Sequence, residues 1–309
     1  MILLCGIPTE RPMAMVAREL EALGAPFVVF NQRAFADTRF AFSLSSAGVT
    51  GTLQLGCTRL RLEEIGSVYT RLMDDRVLPE LDAEPSDSEV RKRCRGLHDG
   101  LLRWLDIAPV RVVNRSFPMS SNSSKPYQAQ LIRACGIDVP ETLVTNDPQL
   151  VHEFRARHGR VVFKSISSFR SIVRELDTRS LSRLEHIRWC PVQFQELVEG
   201  VDVRVHVIGE EVYATRISSA ATDYRYADAA SGDSARLEPT RLPDAVQQRC
   251  LALSRLLGLP FAGIDLRITT DSRVVCFEVN PCPAFSYYES HTGQPIANAV
   301  ARYLRDAMA

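Results

Sequence analysis

The chain has 309 residues, more than one hydrophobic core ordinarily serves, so two or three packed units are expected. Hydrophobic residues at 45% and charged residues at 24% describe a folding globular chain and exclude disorder as its main theme. Lys plus Arg and Asp plus Glu both count 37, so no global field draws nucleic acid or an anionic membrane, and any basic site must be local. Ile2 to Cys5 reads as a buried strand, followed by a helix from about Pro12 to Leu23 that Gly24 ends, and then by a short strand from Phe27 to Phe30. This β-α-β opening is the unit that builds a parallel sheet. Its short apolar start lacks a basic flank and meets Pro8, and no apolar run approaches the roughly 18 residues of a membrane span. A first strand in a cytoplasmic protein, without membrane attachment, is the reading that results.

From Phe40 to Leu62 short alternating pieces carry Gly48, Gly51 and Gly56, which suggests a hairpin. Val68 to Arg71 (VYTR) is a further buried strand, and a helix beyond Glu89 presents Leu97, Leu101, Leu102 and Leu105 on one face. The first domain is placed at residues 1–112. After the Ser-rich run from Ser120 to Ser124, Lys125 starts a helix ending at Gly136. Strands from Thr142 to Val144 and from Val161 to Lys164 flank a helix from Pro148 to Arg157, and the second domain is placed at residues 113–194. The third, residues 195–309, holds an antiparallel pair around Gly209, a helix from Asp244 to Leu257, strands from Ile264 to Ile268 and Val274 to Val279, and a closing helix from Pro295 to Met308. Eight cysteines without C-x-x-C pairs argue against zinc and against a secreted disulfide framework. His206, His152, His158 and His186 stand at no metal spacing and read as surface or satisfied histidines, and His291 beside Glu289 is a candidate proton shuttle.

The strongest local signal is GIDLRITTDSRVVCFEVNPCPAF. Glu278 and Asn280 lie two apart on one strand and therefore face the same side, and the turn from Thr269 to Ser272 can fold Asp265 back opposite them. Three hard oxygen ligands that leave room for phosphate and water suit magnesium. Taken alone, the pattern is as readily a solvated hairpin face.

With its neighbours it resembles the ATP-grasp superfamily, in which an Asp on one strand and a Glu-x-Asn on the next form the magnesium site. The resemblance covers roughly the last two thirds of the chain. It implies an α/β (α+β) chain of ATP-grasp fold: an N-terminal pre-ATP-grasp α/β domain, then two α+β subdomains that clasp ATP. SSKPYQAQLIRACGIDVPETLVTND resembles the entry to the central domain, so Lys125 matches the first nucleotide lysine, and RVVFKSI makes Lys164 the second. Both lysines fall at family positions in a chain whose only other lysine is Lys92, which outweighs a surface-charge reading. VQFQELVEGVDVRVHVIG resembles the interdomain strand and hinge. There the resemblance implies an adenine pocket of Gln195, Glu196, Leu197 and Val198, a ribose-side Asp202, and Arg204 and Arg216 near the transferred phosphate. The implied cofactors are ATP and magnesium, with manganese as the substitute ion. One departure is Ser165 to Ser171, where the family commonly has a Gly-rich loop and this chain has no glycine.

Within the superfamily the order of pieces looks closest to the branch of ribosomal-protein glutamate ligases, glutathione synthetases and maturases of ribosomally made peptides (microviridin-type, graspetide). VYTR near Arg71, Asp223-Tyr224-Arg225 and AFSYYESHTGQPIANAVARYL resemble pieces of the peptide maturases, which would put Arg71, Asp223 and Arg225 at the acceptor end. The implied activity is ATP-dependent activation of a carboxylate as an acyl phosphate for attack by an amine or hydroxyl, most naturally on a peptide. Two alternatives stay open: a ligase joining free amino acids or small acids and amines, and a non-catalytic ATP-binding protein with a degenerate site. Dimers or tetramers are what the family implies.

Overall fold

The computed structural model describes residues 1–166, 173–218 and 235–307. Strand β1 (Ile2–Gly6) is buried along its whole length, as an apolar run must be in the middle of a parallel sheet. Helix α1 (Arg11–Ala22) starts with proline in its first turn and buries Pro12, Met13, Val16 and Leu20 at helical spacing. Strand β2 (Phe27–Asn31) then pairs parallel with β1, Ile2 opposite Phe27. Strands β3 (Thr38–Ser45), β4 (Gly48–Leu55) and β5 (Thr58–Arg61) form a separate antiparallel meander, one strand more than the expected hairpin. Strand β6 (Ser67–Thr70) returns beside β1, helix α2 (Glu89–Ile107) follows with Ser88 as its cap, and β7 (Arg111–Val113) completes the parallel order β2-β1-β6-β7.

A short α3 (Ser116–Met119) leads to α4 (Lys125–Ala134), capped by Ser124. The middle sheet has the order β10-β9-β11-β8, built from β8 (Thr142–Thr145), β9 (Val161–Lys164), β10 (Arg174–Glu175) and β11 (Val192–Glu196). Helices α5 (Pro148–His158) and α6 (Thr178–Leu181) belong to the same stretch of chain. A boundary between residues 194 and 195 cuts β11, because Gln195 and Glu196 still pair with Val162 and Val161. The chain leaves this sheet at Leu197 to Gly200. Gly200 has φ +156, and a Cβ there would stand 2.5 Å from the Ile268 carbonyl oxygen.

The third sheet has the order β14-β13-β12-β15-β16 and is antiparallel throughout. Its strands are β12 (Val201–Ile208), β13 (Glu211–Ser218), β14 (Arg236–Thr240), β15 (Phe261–Ile268) and β16 (Val274–Asn280). Helix α7 (Asp244–Leu256) covers one face, with Val205, Ile264, Leu266 and Val279 in the shared core. Strand β14 contains Pro239, which the ladder tolerates here because β14 is an edge strand. After α8 (Ser286–Thr292), helix α9 (Ile296–Arg305) runs back to the first sheet. Ile296, Val300 and Leu304 share one core with Ile2, Leu4, Val16 and Leu20, and the Ser67 hydroxyl donates to the Leu304 carbonyl at 2.8 Å. The two ends of the chain thus complete each other's interior. Among the described residues no helix is long and apolar enough to cross a membrane.

Candidate active site

Side chains alternate across a strand, and directly paired residues share a face. In the third sheet Arg204 lies between Thr215 and Asp265, Asp265 pairs with Glu278, and Gly263 pairs with Asn280. Asp202, Arg204, Asp265, Glu278 and Asn280 therefore converge on one side. The ladder shifts between Asp265 and Leu266, so that Cys276 rather than Phe277 opposes Leu266. Without that extra residue, Glu278 would not oppose Asp265 while the hairpin end keeps its pairing.

The cluster is bonded throughout. Arg204 Nη1 donates to Asp265 Oδ1 at 2.6 Å, and Asn280 Nδ2 donates to Asp265 Oδ2 at 3.1 Å and to Glu278 Oε1 at 3.3 Å. Lys125 Nζ donates to the second Glu278 oxygen and, at 3.1 Å, to Asn122 Oδ1. The side chain of Lys125 is 15% exposed, those of Glu278 and Asp265 17% and 22%, and that of Arg204 only 6%. Charges in so partly dried a site act on one another and on a ligand more strongly than in water. Two carboxylates and one amide form a hard oxygen set whose chemistry fits magnesium; Asn280, whose Nδ2 now donates to both carboxylates, would offer its Oδ1 only with the amide turned over. Among the described residues no group of three or more His, Cys, Asp or Glu side chains forms a competing metal site.

Gly263 makes the geometry of Arg204 attainable. A Cβ at that position would stand 2.1 Å from Arg204 Nη2 and 2.8 Å from Pro283 Cβ, so the guanidinium lies in a slot only glycine leaves open. His206, next along the same face, is wholly buried with Tyr288 edge-on at 5.0 Å. Burial, and then the Arg204 charge, push its pKa well below the usual imidazole value, so the ring stays neutral. Neither ring nitrogen meets a hydrogen-bond partner among the described residues, so the surface or satisfied reading of this histidine does not hold. His291 is exposed, with Nδ1 2.8 Å from the Tyr287 carbonyl oxygen of its own helix.

The facing wall comes from the middle sheet. The register brings Val162, Lys164 and Gln195 to one side, and with Leu197, Val198, Asp202, Asp265 and Glu278 they line an open cleft of about 120 Å³. The Glu196 amide donates to the Glu141 carbonyl at 3.1 Å and the Leu197 amide to the Arg160 carbonyl at 2.9 Å, so both are engaged in holding the strand. Asp202 lines the cleft with both oxygens held by Arg267.

Two expected positions carry other contacts. Arg216 pairs with Val203 and is exposed on the opposite face from Arg204; Thr215 occupies the place beside Arg204, its hydroxyl bonded to Gln294 at 2.8 Å. A one-residue offset on a strand reverses the face. Arg71 is 8% exposed, and its guanidinium holds Glu10 at 2.6 and 3.0 Å and the Pro283 carbonyl at 3.1 Å. It braces the loop after Asn280. Asp223, Arg225 and all but the first two residues of the Ser165 to Ser171 loop lie outside the described residues. Gly263 and Arg267 went unread in the sequence, although both sit two residues from Asp265, the spacing that puts them on its face.

Residues 123–304, more than half of the chain, match the RimK-like ATP-grasp domain. The chain belongs to that family. Among curated relatives, the probable alpha-L-glutamate ligase of Photobacterium profundum is 27% identical over 214 residues, which are 66% of this ATP-grasp chain and 70% of that protein. The ATP-grasp ligase PsnB, solved in complex with minimal precursor, Mg and ADP, is similar at TM-score 0.79 and 28% identity over 100% of this chain and 97% of its own. The macrocyclase MdnC bound with precursor peptide MdnA from Microcystis aeruginosa MRC shares the fold at TM-score 0.81 and 24% identity, over 99% of this chain and 100% of that one. The ATP-grasp fold expected from the motifs is the fold found.

Proposed function

We propose that this protein is an ATP- and magnesium-dependent ligase that activates a peptide carboxylate as an acyl phosphate for attack by an amine or hydroxyl of the same peptide. The observation that carries the reading is the convergence of Asp265, Glu278, Asn280 and Arg204 on the sheet face that closes the cleft opposite Lys164. Asp265, Glu278 and Asn280 would hold magnesium, which when bound supplies charge neutralisation at the transferred phosphoryl group. Lys164 and Lys125 bind phosphate oxygens as compact point charges, Lys125 leaving Glu278 to do so. Arg204, fixed in the Gly263 slot, stabilises negative charge that develops on the phosphoryl oxygens. The Glu196 carbonyl and the Val198 amide take the purine edge, and Asp202 accepts from the ribose hydroxyls. A substrate carboxylate oxygen bonds to the terminal phosphorus as the bridging oxygen departs with ADP. The nucleophile then forms its bond to the acyl carbon and phosphate leaves, with no covalent enzyme intermediate required.

Peptide modification is favoured over joining free amino acids because the likeness to peptide-complexed PsnB runs the full length of the chain, whereas the glutamate-ligase likeness spans 66% of it. A non-catalytic role is disfavoured by the intact metal and phosphate residues. Eight unpaired cysteines support a reducing, cytoplasmic setting. The test is purified protein with ATP, magnesium and either a short acidic peptide encoded beside its gene or free glutamate. Peptide-dependent ADP release with loss of one water per bond from the peptide is the expected result. Gain of mass from added glutamate favours the free amino-acid ligase, and nucleotide binding without turnover for any acceptor favours the binding protein.

A further inference from the structure

Arg267 stands in the cleft wall two residues along β15 from Asp265, directly opposite Asp202 of β12. Its guanidinium makes three bonds, all at 2.8 Å: Nε and Nη2 donate to the two oxygens of Asp202, and Nη1 donates to the Val198 carbonyl. Its Cζ lies 5.2 Å from the centroid of the Phe277 ring, the residue that the ladder shift inserts. One planar group thereby ties together β15, β12 and Val198 of the segment that links β11 to β12.

The geometry has a consequence for any ligand in the cleft. A forked grip at both oxygens fixes the plane of a carboxylate, and a lysine in the same place could hold only one oxygen at a time. Each Asp202 oxygen keeps a second lone pair for another donor. The third bond holds the hinge residue whose amide would meet the purine edge, so the distance between purine contact and ribose contact is set by a single side chain. The pair is partly exposed, with side chains 18% and 24% accessible, and pairs of that kind add little to stability. Three aligned bonds at a cleft wall are better explained by what they orient.

We propose that Arg267 is a positioning residue for the ribose, holding Asp202 so that recognition of the nucleotide depends on the ribose hydroxyls. The inference rests on the nucleotide reading of the cleft. It is tested on the full-length protein by titration calorimetry with magnesium and either ADP or 2′,3′-dideoxy-ADP. The wild type is expected to prefer ADP by about tenfold or more, the value of one or two lost hydrogen bonds. Arg267→Met should bring the ratio to within about twofold of unity, and Arg267→Lys should leave an intermediate ratio. Asp202→Asn should match Arg267→Met, and the double variant should lower the ratio no further. If Arg267→Met does not fold in a thermal melt, Arg267→Gln takes its place.

A wild-type ratio near unity, or an Arg267→Met or Arg267→Gln protein that keeps the wild-type ratio, overturns the inference while the nucleotide reading stands. Failure of the wild type to bind either nucleotide brings down that reading and the inference with it.

Discussion

The two faces of the third sheet are made from the same strands, residue by residue in alternation, and they do opposite things. On one, Val203, Val205, Ile264, Leu266 and Val279 are buried with α7 in an apolar core. On the other, Arg204, Asp265, Glu278 and Asn280 line or border the cleft and bond to one another. The apolar face holds the strands in register by burying area, a non-directional force. The polar face contributes little of that and depends on the register being correct, since a slip of one residue would exchange the two. Packing on one side is what lets charge be arranged on the other. The contrast with Arg216 makes the point: it is one residue from Thr215 in sequence and on the wrong side of the sheet for the site.

The sharpest way to probe this division is to alter the polar face while leaving the apolar one intact. Asp265→Ala or Glu278→Ala should lower the initial rate of ADP release by about a hundredfold or more, with the far-ultraviolet circular dichroism spectrum unchanged. Gly263→Ala tests the same face through its backbone. The added methyl overlaps Arg204 Nη2, so the guanidinium must leave its slot, and a loss of about ten- to a hundredfold in kcat is expected from steady-state rates.

The remaining tests concern residues that hold the site. Arg71→Met leaves Glu10 and the Pro283 carbonyl without their donor, and should cost about 2 kcal/mol in urea unfolding, reduced from the fully buried case because Glu10 is part exposed. If Arg71 instead contacts substrate, activity falls while stability does not.

His206 predicts a pH effect. Its folded pKa lies below the ordinary 6.5, so below that pH the unfolded chain binds a proton that the folded chain does not. Its contribution is constant above pH 6.5 and becomes destabilising as pH falls, with a slope of at most about 1.4 kcal/mol per unit. His206→Phe should flatten the stability profile between pH 6.5 and 5 relative to wild type, measured as urea midpoints. The smallest effect is assigned to Arg216→Ala, which should change kcat/KM by under about threefold because an exposed side chain on the packing face seldom matters. A loss as large as that of Asp265→Ala would show that the division between the faces is wrong.

Much of this was legible before any coordinates. The period of two along β16 placed Glu278 and Asn280 together, and the residue pattern with terminal glycines at α1, α4 and α7 marked α1, α4, α5 and α7 to within a residue or two. What local pattern could not supply was everything that depends on partners distant in the chain. Strand β7 is three residues long and exists because β6 offers it a free edge, and β14 carries a proline that only an edge strand accepts.

By itself the sequence determined most of the elements and the shared side of Glu278 and Asn280, because these follow from spacing along one strand or helix, while the candidate magnesium set and the two candidate phosphate lysines rested on resemblance to the family. Tertiary structure alone decided that Lys125 reaches Glu278 across 153 positions, that Arg71 braces Pro283 across 212, and that Arg267 clamps Asp202 across 65. Such pairings are set by sheet register, by the ladder shift beside Asp265 and by the return of α9 to the first sheet. Those come from burying area between segments far apart in the chain, which no local periodicity encodes.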